Sequence, residues 1–516
     1  MRLKLLTFFL IFISMTSAFS VSAEKQEKLN VFRDYILEMK ENWKVPGMAV
    51  GIVDSDEVIF METFGTLSNK GITDVNEHTT FQIGSTSKAF TATLMAILAE
   101  TGEISWNDRV RDHYPTFQMA DPWVSDNMRI HDLMAQHSGM YPYVGDMAVI
   151  FGFDEDYILD KLKYMQPLYQ FRKDFTYVNT LFLVSEKILE SKYQSSFESI
   201  LHEKIFGPLS MKDTTISYEK HLQNKNKTTT HVYAKESKSG EIAFEVKPLN
   251  PLEPQFEWSY IYAPAGGIDS SISDMVKWLT FNMNYGEYNG QRLLSEQSMV
   301  YLHTPTTILS SNKKGDLKAY CQGWVYETFL SYPMMWHNGS TMGSKTMIAF
   351  IPDLDIGIVI LTNVGDINLP DNLVKDFFEM VITGEMGTRA KTEFEQSIQA
   401  IQNPTVFQPE QFSDPLELSA YCGTYYNDVY GPVQIEQVND TLQMRLGPLD
   451  DPFQFEHLNR DSFEVFYNKC GITSIGVATF KINVFKTAES FSIDALSAEG
   501  TGDFTRIEDD ERKNNY

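Results

Sequence analysis

The chain has 516 residues, 43% of them hydrophobic and 22% charged. That balance is ordinary for a globular protein and the length suits one large core plus a second domain, which excludes fibrous and disordered classes. A formal net charge of −26 removes the attraction on which nucleic-acid binding rests and reads as a solvated acidic surface, so no nucleic-acid partner is expected.

The first residues carry Arg2 and Lys4, then an apolar run from Leu5 to about Phe19, then small residues at Val21 and Ala23. This is the pattern of a cleavable secretory signal over residues 1–23, and the run is short of the ~20 residues needed to span a bilayer. Glu27 to Trp43 reads as an amphipathic helix, and MAVGIVD and EVIFMETFG read as a hairpin turning at Asp54-Ser55-Asp56. From Ser85 the sequence STSKAFTATLMAILAET is apolar on nearly every face and stops at Gly102, the pattern of a buried helix with a glycine C-cap. Ser273 is the expected N-cap of a helix over DMVKWLTFNM. TMIAFIPDLDIGIVILTN predicts two strands around a turn, and NLVKDFFEMVITG a helix. Strands at both ends with helices between them predict an α/β (α+β) domain on an antiparallel sheet, residues 24–385. Residues 386–414 are polar and weakly patterned, with Pro404 and Pro409, and read as a linker. Beyond it GPVQIEQV, TLQMRL, SFEVFY and VATFKINVF predict a small all-β domain, 415–508.

Ser-x-x-Lys occurs at Ser85, Ser217, Ser310 and Ser311, and only at Ser85 does it open a long buried helix. One helical turn puts Ser85 and Lys88 on the same face. A serine hydroxyl needs a base to become a nucleophile, and a lysine is a base only when desolvation or nearby positive charge lowers its pKa from about 10.4. The field of a helix N-terminus works in that direction. Two short motifs follow in order, Tyr177-Val178-Asn179 at the entrance to an apolar helical run and His337-Asn338-Gly339 just before the strand pair. Each has a second copy in the chain, at Tyr425-Tyr426-Asn427 and His137-Ser138-Gly139, so order and context carry the information. His113, His131, His137 and His202 form no HExxH pattern, and no metal or cofactor is expected. Cys321, Cys422 and Cys470 are far apart without CxxC spacing, and a Cys422–Cys470 pair stays open.

The segments FQIGSTSKAF, MRIHDLMAQHSGM, TYVNTLFLVSEKILE, IFGPLSMKDTT, YAPAGGIDSSISDMVKW and WHNGSTMGSKTMIAFIPDLDIGIVILTN together resemble the class C β-lactamase and D-Ala-D-Ala carboxypeptidase family. AYCGTYYNDVYGPVQI and GDFTRI resemble the lipocalin-like β domain appended to some of its members. The resemblance implies a β-lactamase/transpeptidase-like fold, an acylated nucleophile at Ser85, Lys88 as its proton acceptor and Tyr177 as second member of the relay. It makes Asn179 a residue that orients Lys88 and the substrate, and places His337, Asn338, Gly339 and Ser340 at the substrate and oxyanion side, the backbone N–H groups of Ser85 and Ser340 forming the oxyanion hole. The family commonly carries lysine where this chain has His337, and histidine is largely neutral at pH 7. The expectation is therefore an exported serine hydrolase, periplasmic or secreted, cleaving a small amide or ester, with small-molecule or peptide substrates and contact with the cell envelope. The alternatives are a D-Ala-D-Ala carboxypeptidase or β-lactamase, and a non-catalytic scaffold that kept the fold.

Overall fold

The structure is a computed structural model that describes residues 22–238, 241–252, 256–402, 412–449, 451–467 and 474–507. The expected secretory segment lies outside these residues up to position 21, as does Cys470; Cys321 and Cys422 are free thiols. Among the described residues no helix is long and apolar enough to cross a membrane.

The first domain is built on an eight-stranded antiparallel sheet. Its strands are β1 (Gly47–Asp54), β2 (Glu57–Gly65), β3 (Thr307–Ser311), β4 (Leu317–Tyr320), β5 (Val325–Phe329), β6 (Tyr332–Ser340), β7 (Lys345–Ile351) and β8 (Ile356–Thr362), in the order β2-β1-β8-β7-β6-β5-β4-β3. The central strands are buried on both faces, and alternate side chains therefore feed two cores. Ala49, Val53, Ile348, Phe350, Val359 and Leu361 join one core, whereas Met48, Val50, Met347, Ala349, Ile358 and Ile360 join the other. A two-residue period explains this division. Each fully buried Val, Leu or Ile contributes about 1.5–3 kcal/mol, so both faces of the sheet are strongly specified.

Helix α1 (Ala23–Asn42), capped by Ser22, buries Leu29, Phe32, Ile36 and Met39 on one face of the sheet beside α6 (Leu369–Thr383). The other face is covered by α2 (Ser87–Glu100), α4 (Thr180–Tyr193) and α5 (Ile272–Met283), with the short helix α3 (Asp146–Ile150) at their edge. Two expectations shift in detail. Ser85 sits in a 3-10 turn, Gly84–Thr86, and α2 proper begins at Ser87. The cap of α5 is Ser271, which accepts from the Asp274 amide, rather than Ser273.

The stretch expected as linker is in part a helix, α7 (Arg389–Gln402). Its composition is polar, but Ala390 is buried and Phe394, one turn on, meets Trp43 edge-on at 5.5 Å. Buried Asp376 of α6 anchors its start by accepting from the amides of Arg389 (2.9 Å) and Ala390 (3.0 Å). Two apolar positions at helical spacing are easily lost in a polar window.

The second domain is a closed barrel of eight antiparallel strands between Gly423 and Ile507. Its interior is filled by Tyr421, Tyr425, Phe463, Phe480, Phe491 and Phe504, with ring centroids 4.6 to 5.8 Å apart along the chain of contacts. Arg506 ties the strand ends together, donating to the carbonyls of Cys422 (2.8 Å) and Ala420 (3.2 Å) and to the Tyr425 hydroxyl (2.9 Å). The barrel packs on the first domain and shares a continuous core with it.

Candidate active site

Three parts of the fold meet at Ser85: the turn that opens α2, the residues entering α4, and the end of β6. Glycines make the third approach close. A Cβ on Gly339 would lie 1.8 Å from the Ile83 carbonyl oxygen, and one on Gly84, which has φ +52°, would lie 2.6 Å from the Ser340 amide nitrogen. Only bare backbone fits at either position, and the fit brings the backbones of residues 83–85 and 339–340 together at an exposed Ser340. Two backbone N–H donors at such a junction suit a developing oxyanion.

Lys88 is fully buried, whereas Ser85 keeps partial exposure. The Lys88 Nζ donates to Ser85 Oγ (3.1 Å), Asn179 Oδ1 (2.6 Å) and the Ala265 carbonyl (2.9 Å). It also lies 4.7 Å from the centroid of the Tyr177 ring and 5.3 Å from that of Phe182. None of its three acceptors carries a formal charge. Burial therefore lowers its pKa to about 7, with Asp146 opposing the shift from beyond Asn179. The Asn179 amide bridges the two, accepting from Lys88 on one side and donating to Asp146 Oδ2 (2.7 Å) on the other.

The Tyr177 hydroxyl is hydrogen-bonded to Ser85, and its phenol is held protonated by burial and by neighbouring Tyr320. His337 is buried, with its Nε2 3.0 Å from the Tyr320 hydroxyl and its Nδ1 2.6 Å from the Asn338 carbonyl. A carbonyl only accepts, so Nδ1 carries the proton and Nε2 accepts from Tyr320. Burial lowers the His337 pKa to about 3, with Lys88 adding to the effect. The imidazole is thus neutral and fully bonded, and it offers no cation to a substrate carboxylate.

The structure brings Ser85, Lys88, Tyr177, Asn179, His337, Gly339 and Ser340 together. It does not bring the Asn338 side chain there: strand alternation turns it to the opposite face, where it donates to Asp371 Oδ1 (2.6 Å). Trp336 lies on that face too and donates to Glu327. Tyr260 stays near the cleft, donating to Asp269 (2.9 Å) and accepting from Gln82 (3.2 Å), whose other end accepts from Thr341 (2.9 Å). Sequence reasoning missed Asp146, Tyr320 and the Ala265 carbonyl. No short motif marks Asp146 or Tyr320, and a backbone carbonyl has no residue signature at all.

Among the described residues, His131, Asp132 and His137 place ligand atoms within 4.8 Å of one another. Asp132, however, already receives both Nε (2.8 Å) and Nη2 (2.5 Å) of Arg172 and a contact from His137 Nε2 (2.7 Å), while His137 Nδ1 meets Thr307 (3.0 Å). A guanidinium on the carboxylate opposes a second cation, so the cluster fits an internal ion pair better than a metal centre.

The beta-lactamase family matches residues 32–373, and the family described as "Domain of unknown function (DUF3471)" matches 408–510. The "Unguisins hydrolase ungD" of Aspergillus violaceofuscus is 24% identical over 88% of this chain and 85% of its own length. "Penicillin-binding protein 4" of Amycolatopsis lactamdurans is 23% identical over 75% of this chain and 95% of its own. In three dimensions the chain is similar to an octameric penicillin-binding protein homologue from Pyrococcus abyssi, with a TM-score of 0.60 and 19% identity over 90% of this chain and 98% of that one.

Proposed function

We propose, on the premise that this chain belongs to the beta-lactamase family and is a serine hydrolase, that it cleaves a small amide or ester through an acyl-Ser85 intermediate. The observation that carries the reading is the environment of Lys88. In its neutral form the amine has two N–H bonds, which Asn179 Oδ1 and the Ala265 carbonyl hold, and its lone pair is left facing the Ser85 hydroxyl at 3.1 Å. A pKa of about 7 makes that neutral form abundant at neutral pH.

Lys88 takes the Ser85 proton as Oγ attacks the substrate carbonyl. The negative charge moves onto the carbonyl oxygen, between the backbone N–H groups of Ser85 and Ser340. Tyr177, neutral and bonded to Ser85, passes a proton to the leaving amine or alcohol as the tetrahedral intermediate collapses. Water then attacks the acyl-serine with the same groups acting in reverse, restoring Ser85 and releasing the acid.

The neutral His337 supports a substrate without a carboxylate at that position. Similarity to a penicillin-binding protein along 95% of that protein's length supports a second reading, hydrolysis of a D-Ala-D-Ala peptide or a lactam. Similarity to a hydrolase along 88% of this chain supports turnover over a scaffold role. Export is proposed from the basic, apolar and small-residue succession of residues 1–23.

A fluorophosphonate or activated ester is expected to add one covalent adduct to the purified protein, read by intact mass and lost in Ser85→Ala. An unchanged adduct in Ser85→Ala overturns the assignment. A panel of neutral esters and amides, a D-Ala-D-Ala peptide and nitrocefin separates the two substrate readings.

A further inference from the structure

The barrel meets the first domain along residues 141–157, with Tyr262 also close to Glu499 and Tyr430, and the segment 141–157 carries Asp146. On its inner side it is bonded to the residues around α4. The Tyr143 amide donates to the Tyr177 carbonyl (2.8 Å), the Thr180 hydroxyl donates to the Val144 carbonyl (2.6 Å), and Asp146 accepts from Asn179. On its outer side it meets the barrel. Phe151 packs edge-on against Tyr430 (5.3 Å) and Phe453 (5.5 Å), and the Tyr157 hydroxyl donates to the Val429 carbonyl (2.9 Å).

A tight turn of the barrel, Glu499 to Thr501, reaches the part of the segment that carries Asp146. Gly500 has φ +74°, and a Cβ there would lie 2.4 Å from the Tyr141 ring, so the turn closes on the segment only because residue 500 is glycine. Thr501 bonds the Tyr430 hydroxyl (2.9 Å), which locks the turn to the barrel wall. Glu499 is buried, and its Oε2 accepts from the Met147 amide at 3.5 Å, with the Gly145 amide also facing the carboxyl. Asp146 Oδ1, between those two amides in sequence, is buried with no hydrogen-bond partner. Its neighbour's carboxyl is thus the barrel's polar contribution to the wall behind Asn179.

We propose that Asp146 and Glu499 are positioning residues of the hydrolytic site: the barrel, through Glu499, holds segment 141–147 against Asn179, and Asp146 thereby keeps Asn179 oriented to hold Lys88 on Ser85. This rests on the acyl-Ser85 reading above. The relay runs Glu499, backbone of 145–147, Asp146, Asn179, Lys88, and it makes the second domain part of the site's scaffold through a residue that does not itself bond Ser85. Burial, with Asp146 beside it, raises the Glu499 carboxyl well above the usual carboxylate range, and burial raises that of Asp146 to about 7 against the pull of Asn179 and Lys88. The ionisable groups facing Asp146 are Lys88, Glu499, Tyr143, Tyr177, Tyr262 and Tyr430, and Lys88 is the one cation among them.

The test uses the full chain and steady-state turnover of an ester substrate as a function of pH. Asp146→Ala and Glu499→Ala are each expected to lower kcat on the order of tenfold to a hundredfold with KM within about threefold, since they displace a reacting group rather than a substrate contact. Acting through one element, the two losses combine to less than their product. Asp146→Asn and Glu499→Gln, which keep the size and an acceptor oxygen, restore most of kcat. Burial raises Asp146 to about 7, so it titrates together with Lys88 and its ionised form stabilises the ammonium; Asp146→Asn removes that partner and moves the acid limb of kcat/KM to lower pH, whereas a purely structural role would leave that limb in place. Wild-type kcat in folded Glu499→Ala, fully multiplicative losses, or an unmoved limb in Asp146→Asn overturns the proposal. If the wild type itself forms no Ser85 adduct, the hydrolytic reading falls and this one with it; if the adduct forms and the variants behave as wild type, this proposal alone falls.

Discussion

Two buried polar clusters lie on the same side of the sheet, and they do opposite things with charge. In the first, Asp132 is buried and receives a two-pronged Arg172 plus His137. Its carboxyl is held well below the usual carboxylate range, against the cost of burial, by Arg172 first and His137 second. In the second, Lys88 is just as buried, but its partners are an amide oxygen, a carbonyl and a hydroxyl. The Asp132 cluster compensates its charge and is chemically quiet. Lys88 is denied a counter-charge in contact, and that denial brings its proton within reach of exchange at neutral pH. In the acyl-Ser85 mechanism proposed above, reactivity follows from what is withheld.

The largest test of the contrast is removal of the lysine. Lys88→Ala is expected to lower kcat on the order of 10⁴-fold, the scale of losing one member of a nucleophile-activating unit, and Lys88→Arg should do no better, because a guanidinium keeps its proton. Both are read as the rate of Ser85 acylation in a stopped assay.

A sharper test makes the second cluster resemble the first. Asn179→Asp puts a carboxylate on Lys88, which stabilises the ammonium and raises its pKa. The acid limb of kcat/KM, expected near pH 7 in the wild type, should move up by about one unit, a loss of about fivefold at pH 7. A limb that stays in place would separate Lys88 from the titrating base.

The converse perturbation strips the first cluster. Arg172→Ala leaves a buried carboxylate without its main partner and should cost about 3 kcal/mol, toward the low end for a broken buried pair because Arg172 itself keeps solvent access. Thermal unfolding reads the loss, while kcat per folded molecule stays at the wild-type value. The pH sign follows from the lowered carboxyl. Its stabilisation is complete above the unfolded value of about 3.9 and fades as pH falls below it, so the acid sensitivity of stability should flatten in Arg172→Ala.

These clusters also mark how far the sequence could be read. The hairpin β1–β2, the pair β7–β8 around Pro352–Leu354 and helix α6 follow from alternation, turn residues and helical spacing within a dozen residues of one another. Strands β3 to β5 are short and half polar, and their pairing at the far edge of the sheet is a matter of tertiary company. Helix α7 was hidden for the opposite reason: its apolar positions are few, and of the two residues that give it a place to sit, Trp43 is hundreds of residues away in sequence and Asp376 lies on the preceding helix.

Within the site, the sequence by itself determined the Ser85–Lys88 pair, because a one-turn separation on a helix is set by backbone geometry, and it picked out Tyr177, Asn179 and the His337 strand by their order. Tertiary structure alone decided what those residues are chemically. Lys88 takes its acceptors from Asn179 and Ala265, 91 and 177 positions along the chain, His337 is neutral because burial, with Lys88 nearby, makes it so, and Asn338 leaves the site because of the face it occupies on β6. A pKa is a property of surroundings, and surroundings are assembled by folding rather than written in any local run of residues.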